Sequence, residues 1–117
     1  MELNEITFTT ATPIDGYGPG FFRVGGTVLK GPVVLTATNS FTWGGYEDIS
    51  IAEKLGGTID VLLIGTGSTM EFIPAEFRKT LEAAGVGVEP MASPSACRTF
   101  NVLLAEGRRV AAALLPV

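Results

Sequence analysis

Histidine is absent from the 117 residues, and cysteine occurs once, as Cys97. Without histidine, a Ser-His-Asp triad, a Cys-His pair and a His-ligated metal site are all excluded within this chain. A single thiol also excludes an internal disulfide, a cysteine zinc site and a Cys₄ iron–sulfur cluster. We therefore expect neither a metal nor another cofactor.

Charged residues are also scarce, at 17% of the chain, and the net charge of -4 is acidic. Proteins that bind the nucleic-acid backbone need a basic face, so nucleic acid is not an expected partner. The nearest feature to a basic patch is Arg108 and Arg109 together with Arg98. Three arginines can bind a carboxylate or an acidic loop of a partner protein, but not a duplex.

No apolar run approaches the length of a transmembrane helix, which is about 18 residues or more. The first five residues, Met1–Glu5, are acidic and resemble neither a signal peptide nor a transit peptide. We expect a single cytoplasmic domain spanning residues 1–117, with 46% apolar residues for one core.

The first part of the chain, residues 1–45, has the short apolar runs and glycine turns of β-structure. The segment 13–20 is so rich in glycine and proline that it is predicted to be a loop. The predicted strands around it are Ile6–Thr9, Phe21–Val24, Thr27–Leu29, Val33–Thr36 and Phe41–Trp43.

Residues 46–117 alternate between helical and strand patterns. Helices are predicted at Ser50–Leu55, Pro74–Ala84 and Pro94–Glu106, and strands at Ile59–Gly65, Val86–Glu89 and Val110–Leu115. A β-α-β-α-β order of this kind predicts parallel strands, to which the first part adds hairpin strands as an edge or an extra layer. The predicted fold class is α/β with a mixed sheet.

The last of these helices has the clearest boundaries. Ser93 is a suitable cap, Pro94 suits the first helical position, and Gly107 suits the end. The free N–H groups and the positive dipole end would then lie beside Cys97 and Arg98. Such an arrangement can attract a ligand or a partner without specifying a reaction.

A second loop, Gly65-Thr66-Gly67-Ser68-Thr69, follows the most apolar strand. Loops after the carboxyl ends of parallel strands meet at one edge, so we expect this loop to converge with Met91–Ser95. That convergence would place Thr66, Ser68, Cys97 and Arg98 around one crevice. The glycine spacing fits neither a dinucleotide fingerprint nor a P-loop. A tight turn with positive φ is the preferred interpretation, and a backbone site for a small anion is the alternative.

Cys97 shares a helix face with Phe100 and Leu104, which favours packing over reactivity, although its place near a helix start and Arg98 would lower the thiol pKa. Arg98 itself is disfavoured by the helix dipole and suggests an anionic contact: an internal salt bridge to Glu89 or Asp60, or a ligand carboxylate. Thr99 and Asn101 would orient Arg98 or bind the preceding helical turn.

Trp43 and Tyr46 flank two glycines at the end of a predicted strand. A lone tryptophan at such a place is usually a core residue. If it is exposed beside Tyr46, the pair becomes a candidate protein interface, where these residue types are enriched.

Several blocks of the chain resemble a known family: Ile14–Gly18, Phe22–Val24, Leu63–Gly67, and Ala96–Leu103 followed by Glu106–Leu114. The chain resembles the domain-of-unknown-function 498 family over residues 14–115, a family that includes the mitochondrial NADH dehydrogenase (complex I) assembly factor 3. The resemblance implies a three-layer α/β domain with a mixed central sheet. It also implies partner proteins, among them respiratory complex subunits or assembly proteins, and it supplies no catalytic residue. Where the family usually has tyrosine, this chain has Phe100, which weakens any acid–base role at that position.

The hypothesis that follows is a non-enzymatic interaction or assembly factor. The competing hypothesis is a small-anion-binding or thiol-dependent enzyme that uses the crevice between Gly65–Gly67 and Cys97 with Arg98. Self-association of the domain is a third alternative that the sequence leaves open.

Overall fold

The computed structural model describes residues 6–117, so the predictions for Met1–Glu5 lie outside the described residues. Six strands form the central sheet in the order β1-β6-β5-β9-β7-β8, and three form a smaller sheet in the order β2-β3-β4. The central strands are β1 (Ile6–Thr7), β5 (Val33–Leu35), β6 (Asn39–Thr42), β7 (Val61–Thr66), β8 (Gly87–Met91) and β9 (Val110–Leu115). The small sheet consists of β2 (Ile14–Gly18), β3 (Phe21–Val24) and β4 (Thr27–Lys30).

The central sheet is mixed. Strands β7, β8 and β9 run parallel, whereas β1, β5 and β6 add an antiparallel extension through the pairing of β5 with β9. The prediction of an α/β domain with a mixed sheet is therefore confirmed, and hairpin strands of the first part supply both an edge and an extra layer.

Both faces of the central sheet are buried, which explains the nearly continuous apolar runs of β7 and β9. Leu62 and Ile64 pack on one face with helices α1 (Ser50–Leu55) and α2 (Ala75–Ala83). Leu63 points to the other face and packs with helix α3 (Ser93–Ala105) and the small sheet. Successive strand side chains alternate between faces, so this pattern produces three layers.

The segment 13–20 is not simply a loop, as was predicted, because strand β2 occupies Ile14–Gly18. This glycine-rich strand lies at the edge of the small sheet and contains a register shift between Ile14 and Gly16. Edge positions and bulges are where strands tolerate glycine. Gly18 is also needed for a close approach, since a Cβ there would lie 2.5 Å from the ring of Phe21.

The other elements follow their predictions closely. Helix α1 and strand β9 have the predicted bounds, and α2 and α3 differ from theirs by one residue at each end. Gly25 and Gly26 both have positive φ and join β3 to β4, as a tight hairpin turn requires.

Candidate functional site

The N-terminal end of α3 packs directly on the loop that follows β7. Ser93 is buried, its N–H donates to the Gly67 carbonyl at 2.8 Å, and its hydroxyl donates to the Leu115 carbonyl at 2.6 Å. The same hydroxyl accepts the Gly67 N–H at 3.0 Å. The predicted helix cap is therefore wrong: Ala92 holds the cap position, and the Ser93 side chain joins β7, α3 and β9.

The two glycines of this loop have different physical roles. Gly67 has a φ of 104°, which confirms the tight turn at that residue. Gly65 does not have positive φ; a Cβ there would lie 2.7 Å from Ser93 Oγ and 2.8 Å from Leu114 Cδ2. Glycine at 65 thus allows α3 to approach the sheet.

Thr66 closes the same edge from the side of the β7–α2 connection. Its buried hydroxyl lies 2.7 Å from the Thr69 carbonyl oxygen and 3.2 Å from that of Met91, and it accepts the Glu71 N–H at 3.0 Å. The two loops meet at this edge as predicted, but they do not form the predicted crevice lined by Cys97. Hydrogen bonds within the protein close this edge, and of the five loop residues Ser68 and Thr69 are exposed.

Cys97 does not line this edge. The free thiol is 4% exposed and packs in the core between α3, the small sheet and the central sheet. Burial raises the pKa of the thiol to about 11, and the nearby positive charge of Arg98 opposes this shift only in part. The preferred packing interpretation is confirmed, and the thiol is protonated at neutral pH.

Arg98 is exposed, and its Nη2 donates to Ser95 Oγ at 3.3 Å. The predicted salt bridge is wrong: Asp60 pairs with Arg109 at 3.3 Å, and within residues 6–117 Glu89 makes no ion pair with Arg98. The predicted basic patch also divides, since Arg98 lies near the start of α3 whereas Arg108 and Arg109 follow its end. From Arg98 to the end of α3 at Ala105 the helix rises about 10 Å.

Asn101 is a structural residue that the sequence pattern did not reveal. Its Oδ1 accepts the Ile14 N–H at 2.8 Å, and its Nδ2 donates to the Ile14 carbonyl at 2.8 Å. The side chain thus binds the backbone of β2 as a neighbouring strand would, and it neither orients Arg98 nor binds the preceding turn. Thr99, also on α3, is half-buried.

The candidate interface pair of Trp43 and Tyr46 belongs to the core around α2. Trp43 is 3% exposed and lies with its ring centroid 5.4 Å from Tyr46 and 5.8 Å from Phe77. Trp43 therefore cannot be an exposed anchor. Burial and the charge of Glu71 raise the pKa of the half-buried Tyr46.

The most exposed large apolar side chains of the described chain include two in the β7–α2 connection, which the sequence analysis passed over. Phe72 is 95% exposed and Met70 is 51% exposed. We call residues 70–72 the Met70–Phe72 loop. Its backbone is held at Glu71 by the hydroxyl of Thr66. Two bulky apolar side chains on either side of Glu71, in a segment with the composition of a loop, were the available sequence signal.

Within residues 6–117, no cluster of three or more His, Cys, Asp or Glu side chains is arranged to hold a metal ion. Over the same residues, no helix combines the length and apolarity needed to cross a bilayer.

The sequence matches the family model described as a protein of unknown function (DUF498/DUF598) over residues 14–115. The chain belongs to the DUF498/DUF598 family. An uncharacterized protein of Rhodobacter capsulatus is 47% identical to this DUF498/DUF598 chain, covering 100% of it and 94% of the relative.

Animal relatives of this DUF498/DUF598 domain bear the name NADH dehydrogenase [ubiquinone] 1 alpha subcomplex assembly factor 3. The Danio rerio protein is 36% identical over 92% of this chain, and the Homo sapiens protein is 33% identical over 88% of it. The chain spans only 66% and 60% of these two relatives, respectively.

Solved structures share the fold. A Bartonella henselae crystal structure, described as an outer membrane protein, has a TM-score of 0.81 and 38% identity, covering 92% of this chain and 97% of that one. A Bordetella pertussis solution structure, described as an Mth938-like domain, has a TM-score of 0.76 and 28% identity, covering 99% and 92%.

Proposed function

We propose that this protein is a non-enzymatic interaction factor that assists the assembly of a respiratory NADH dehydrogenase by binding partner proteins. The observation that carries the proposal is the relation to the animal assembly factors, which extends over 92% of this chain in the zebrafish protein. The partners we infer are subunits of that complex or other assembly proteins. We infer a cytoplasmic location for the interaction, which cell fractionation tests.

An enzyme with an open parallel sheet usually binds its substrate at the carboxyl ends of the strands. In this chain the polar side chains at that edge are used for structural contacts. The hydroxyls of Ser93 and Thr66 are bound to backbone groups, and the Cys97 thiol is buried with a raised pKa. A thiol becomes a good nucleophile only when it is accessible and its pKa is lowered. These contacts therefore favour the assembly factor over the thiol-dependent enzyme.

The Met70–Phe72 loop is the surface that we assign to the partner protein. A phenylalanine ring that is 95% exposed contributes nothing to the core, whereas aromatic side chains are common binding anchors at interfaces. Glu71 places a carboxylate between the two apolar side chains. This favours a partner surface with an apolar pocket and a cationic rim.

Site-specific photo-crosslinking tests the assignment in a bacterium that carries both this chain and a respiratory NADH dehydrogenase. p-Benzoylphenylalanine replaces Phe72 in one strain and Val102 in a control strain, since Val102 is also exposed, at 56%, but lies on α3. We expect position 72, and not position 102, to crosslink a subunit or assembly protein of the complex.

Complementation provides the functional readout. In a strain that lacks the gene, we expect less assembled NADH dehydrogenase on native gels, with recovery on adding back the natural chain or Val102→Ser. Phe72→Ser should fail to restore assembly while folding normally, because the lost ring is solvated. Unchanged assembly in the deletion strain would refute the proposed function, and full rescue by Phe72→Ser would refute the surface.

A further inference from the structure

The edge of the sheet opposite Ser93 contains an open cleft of about 430 Å³. It is formed by the turn between β5 and β6, the end of α1 with the residues after it, and the segment between α3 and β9. A volume of this size is typical of small-molecule sites. The apolar floor consists of Phe41, Leu55, Ile59 and Val110, all of which are buried.

The charged residues that line this cleft are all cationic: Lys54, Arg108 and Arg109. They are three of the eight lysines and arginines in a chain whose net charge is -4, so positive charge is concentrated here. Charge of one sign in a concave surface attracts ligands of the opposite sign.

The three cations are held or oriented differently. Lys54 Nζ lies 4.4 Å from the ring centroid of Phe41, over the cleft floor. Arg109 Nη2 lies 3.3 Å from Asp60 Oδ1 and donates to the Gly57 carbonyl at 3.4 Å. Within residues 6–117, the exposed Arg108 guanidinium makes no hydrogen bond or ion pair, so its five donors face solvent.

The neutral polar groups of the cleft are already engaged. The Thr36 hydroxyl accepts the Asn39 N–H at 3.0 Å, and the Thr38 hydroxyl donates to Asn39 Oδ1 at 3.0 Å. The Thr58 hydroxyl donates to the Leu55 carbonyl at 2.8 Å. Recognition of a ligand in this cleft therefore depends on the cationic side chains.

We propose that the cleft binds a small organic polyanion through Lys54, Arg108 and Arg109. Phosphate or carboxylate oxygens of the ligand bind the two guanidinium groups, which match the geometry of such oxyanions. The carbon skeleton lies over Phe41. This site is distinct from the Met70–Phe72 loop and is independent of the proposed function.

Isothermal titration of the full chain with ADP and with citrate tests the proposal, with NaCl at matched ionic strength as the blank. Arg108→Gln and Lys54→Gln remove charge inside the cleft, and Arg98→Gln is the matched control because it removes the same charge at an exposed residue that does not line the cleft. We expect saturable binding that Arg108→Gln weakens by about tenfold or more. Arg98→Gln should change the dissociation constant by less than about twofold, since Arg98 does not line the cleft and salt weakens the effect of exposed charges.

The two ligands distinguish two kinds of oxyanion, an organic phosphate and a polycarboxylate. Binding of ADP alone supports an organic phosphate, binding of citrate alone supports a polycarboxylate, and binding of both supports a general oxyanion site. Binding of neither ligand overturns the proposal. It is also overturned if Arg98→Gln weakens binding as much as Arg108→Gln.

The same variants keep this proposal separate from the proposed function. Arg108→Gln should leave crosslinking at position 72 unchanged, because the cleft and the Met70–Phe72 loop share no residue. Loss of anion binding with normal crosslinking supports the cleft alone. Normal anion binding without crosslinking at position 72 would contradict the proposed interaction factor and would still support the proposed anion site.

Discussion

The two ends of the parallel strands use their polar groups differently. At the carboxyl end, Ser93 and Thr66 direct their hydroxyls to backbone groups of neighbouring segments. At the opposite end, Arg108 extends into solvent beside an open cleft. The usual ligand crevice of an open α/β sheet lies at the carboxyl end, so the anion site that we propose at the opposite end would depart from the general rule.

Connection length explains the difference. A single residue, Ala92, separates β8 from α3, so the helix start is drawn onto the Gly67 carbonyl and closes that end. Four residues separate α3 from β9, and two of them are the arginines that line the cleft. Substitutions at the closed end should therefore cost stability, and substitutions at the open end should cost binding.

Gly65→Ala should have the largest effect on stability. The added methyl would meet Ser93 Oγ, Leu114 Cδ2 and the Ser93 backbone at 2.7–3.0 Å, and overpacking of this kind costs about 3 kcal/mol. Urea denaturation of the full chain measures the loss. Gly16→Ala is the control, because a Cβ at Gly16 meets nothing within 4 Å. If the two variants are equally stable, the close approach of α3 to β7 is not required.

The Cys97 thiol should be almost inert to iodoacetamide at pH 8. Burial raises its pKa from 9.0 to about 11, which lowers the thiolate fraction roughly 100-fold before any steric protection is counted. Alkylation should become fast once urea unfolds the chain. Rapid labelling of the native protein would instead show an accessible thiol and return the thiol-dependent hypothesis to consideration.

Ser93→Ala should destabilise the closed end by about 2 kcal/mol, because the buried Gly67 N–H and Leu115 carbonyl both lose a partner. Ser95→Ala, two residues further along α3, loses only the contact with Arg98 and should change the free energy of unfolding by less than about 0.5 kcal/mol. Parallel urea titrations compare them. Equal losses would contradict the role given to Ser93.

Local pattern was enough to predict most helices and strands. Helix α3 was predicted to within one residue at each end. The prediction used the spacing of its apolar residues, the proline near its start and the glycine after its end. Strand β2 was missed because its glycines and flanking prolines follow the composition of a loop. Its two hydrogen bonds to Asn101 come from a distant part of the chain, 87 residues away.

The candidate site was less predictable because it depends on contacts between distant segments. Ser93 has the local pattern of a helix cap, yet its hydroxyl is used by Gly67 and Leu115, 26 and 22 residues away. The basic patch was expected from Arg98, but the cation that joins Arg108 and Arg109 is Lys54. Sequence spacing carries no information on such a pairing until the sheet order is known.

The smallest predicted effect concerns the turn that leads into α1, away from both ends compared above. Asp48 accepts the Gly44 N–H at 3.1 Å and the Ser50 N–H at 3.2 Å, and it also accepts the Ser50 hydroxyl. These bonds lower the pKa of Asp48, the Ser50 hydroxyl contributing most. Asp48→Asn should therefore reduce stability at pH 7 by less than about 1 kcal/mol, because charge-assisted hydrogen bonds in a largely solvated turn become neutral ones.

The pH dependence of that loss has a definite sign. A carboxyl whose pKa is lowered by folding stabilises the native state above its unfolded pKa, and this contribution disappears as pH falls through the folded value. The difference between the natural chain and Asp48→Asn should thus be constant above about pH 5 and should shrink below about pH 4. Urea titrations from pH 7 to pH 3 measure it, with Glu47→Gln as a control that should match the natural chain. A difference that persists at pH 3 would mean that packing of the turn, and not the carboxylate charge, stabilises the start of α1.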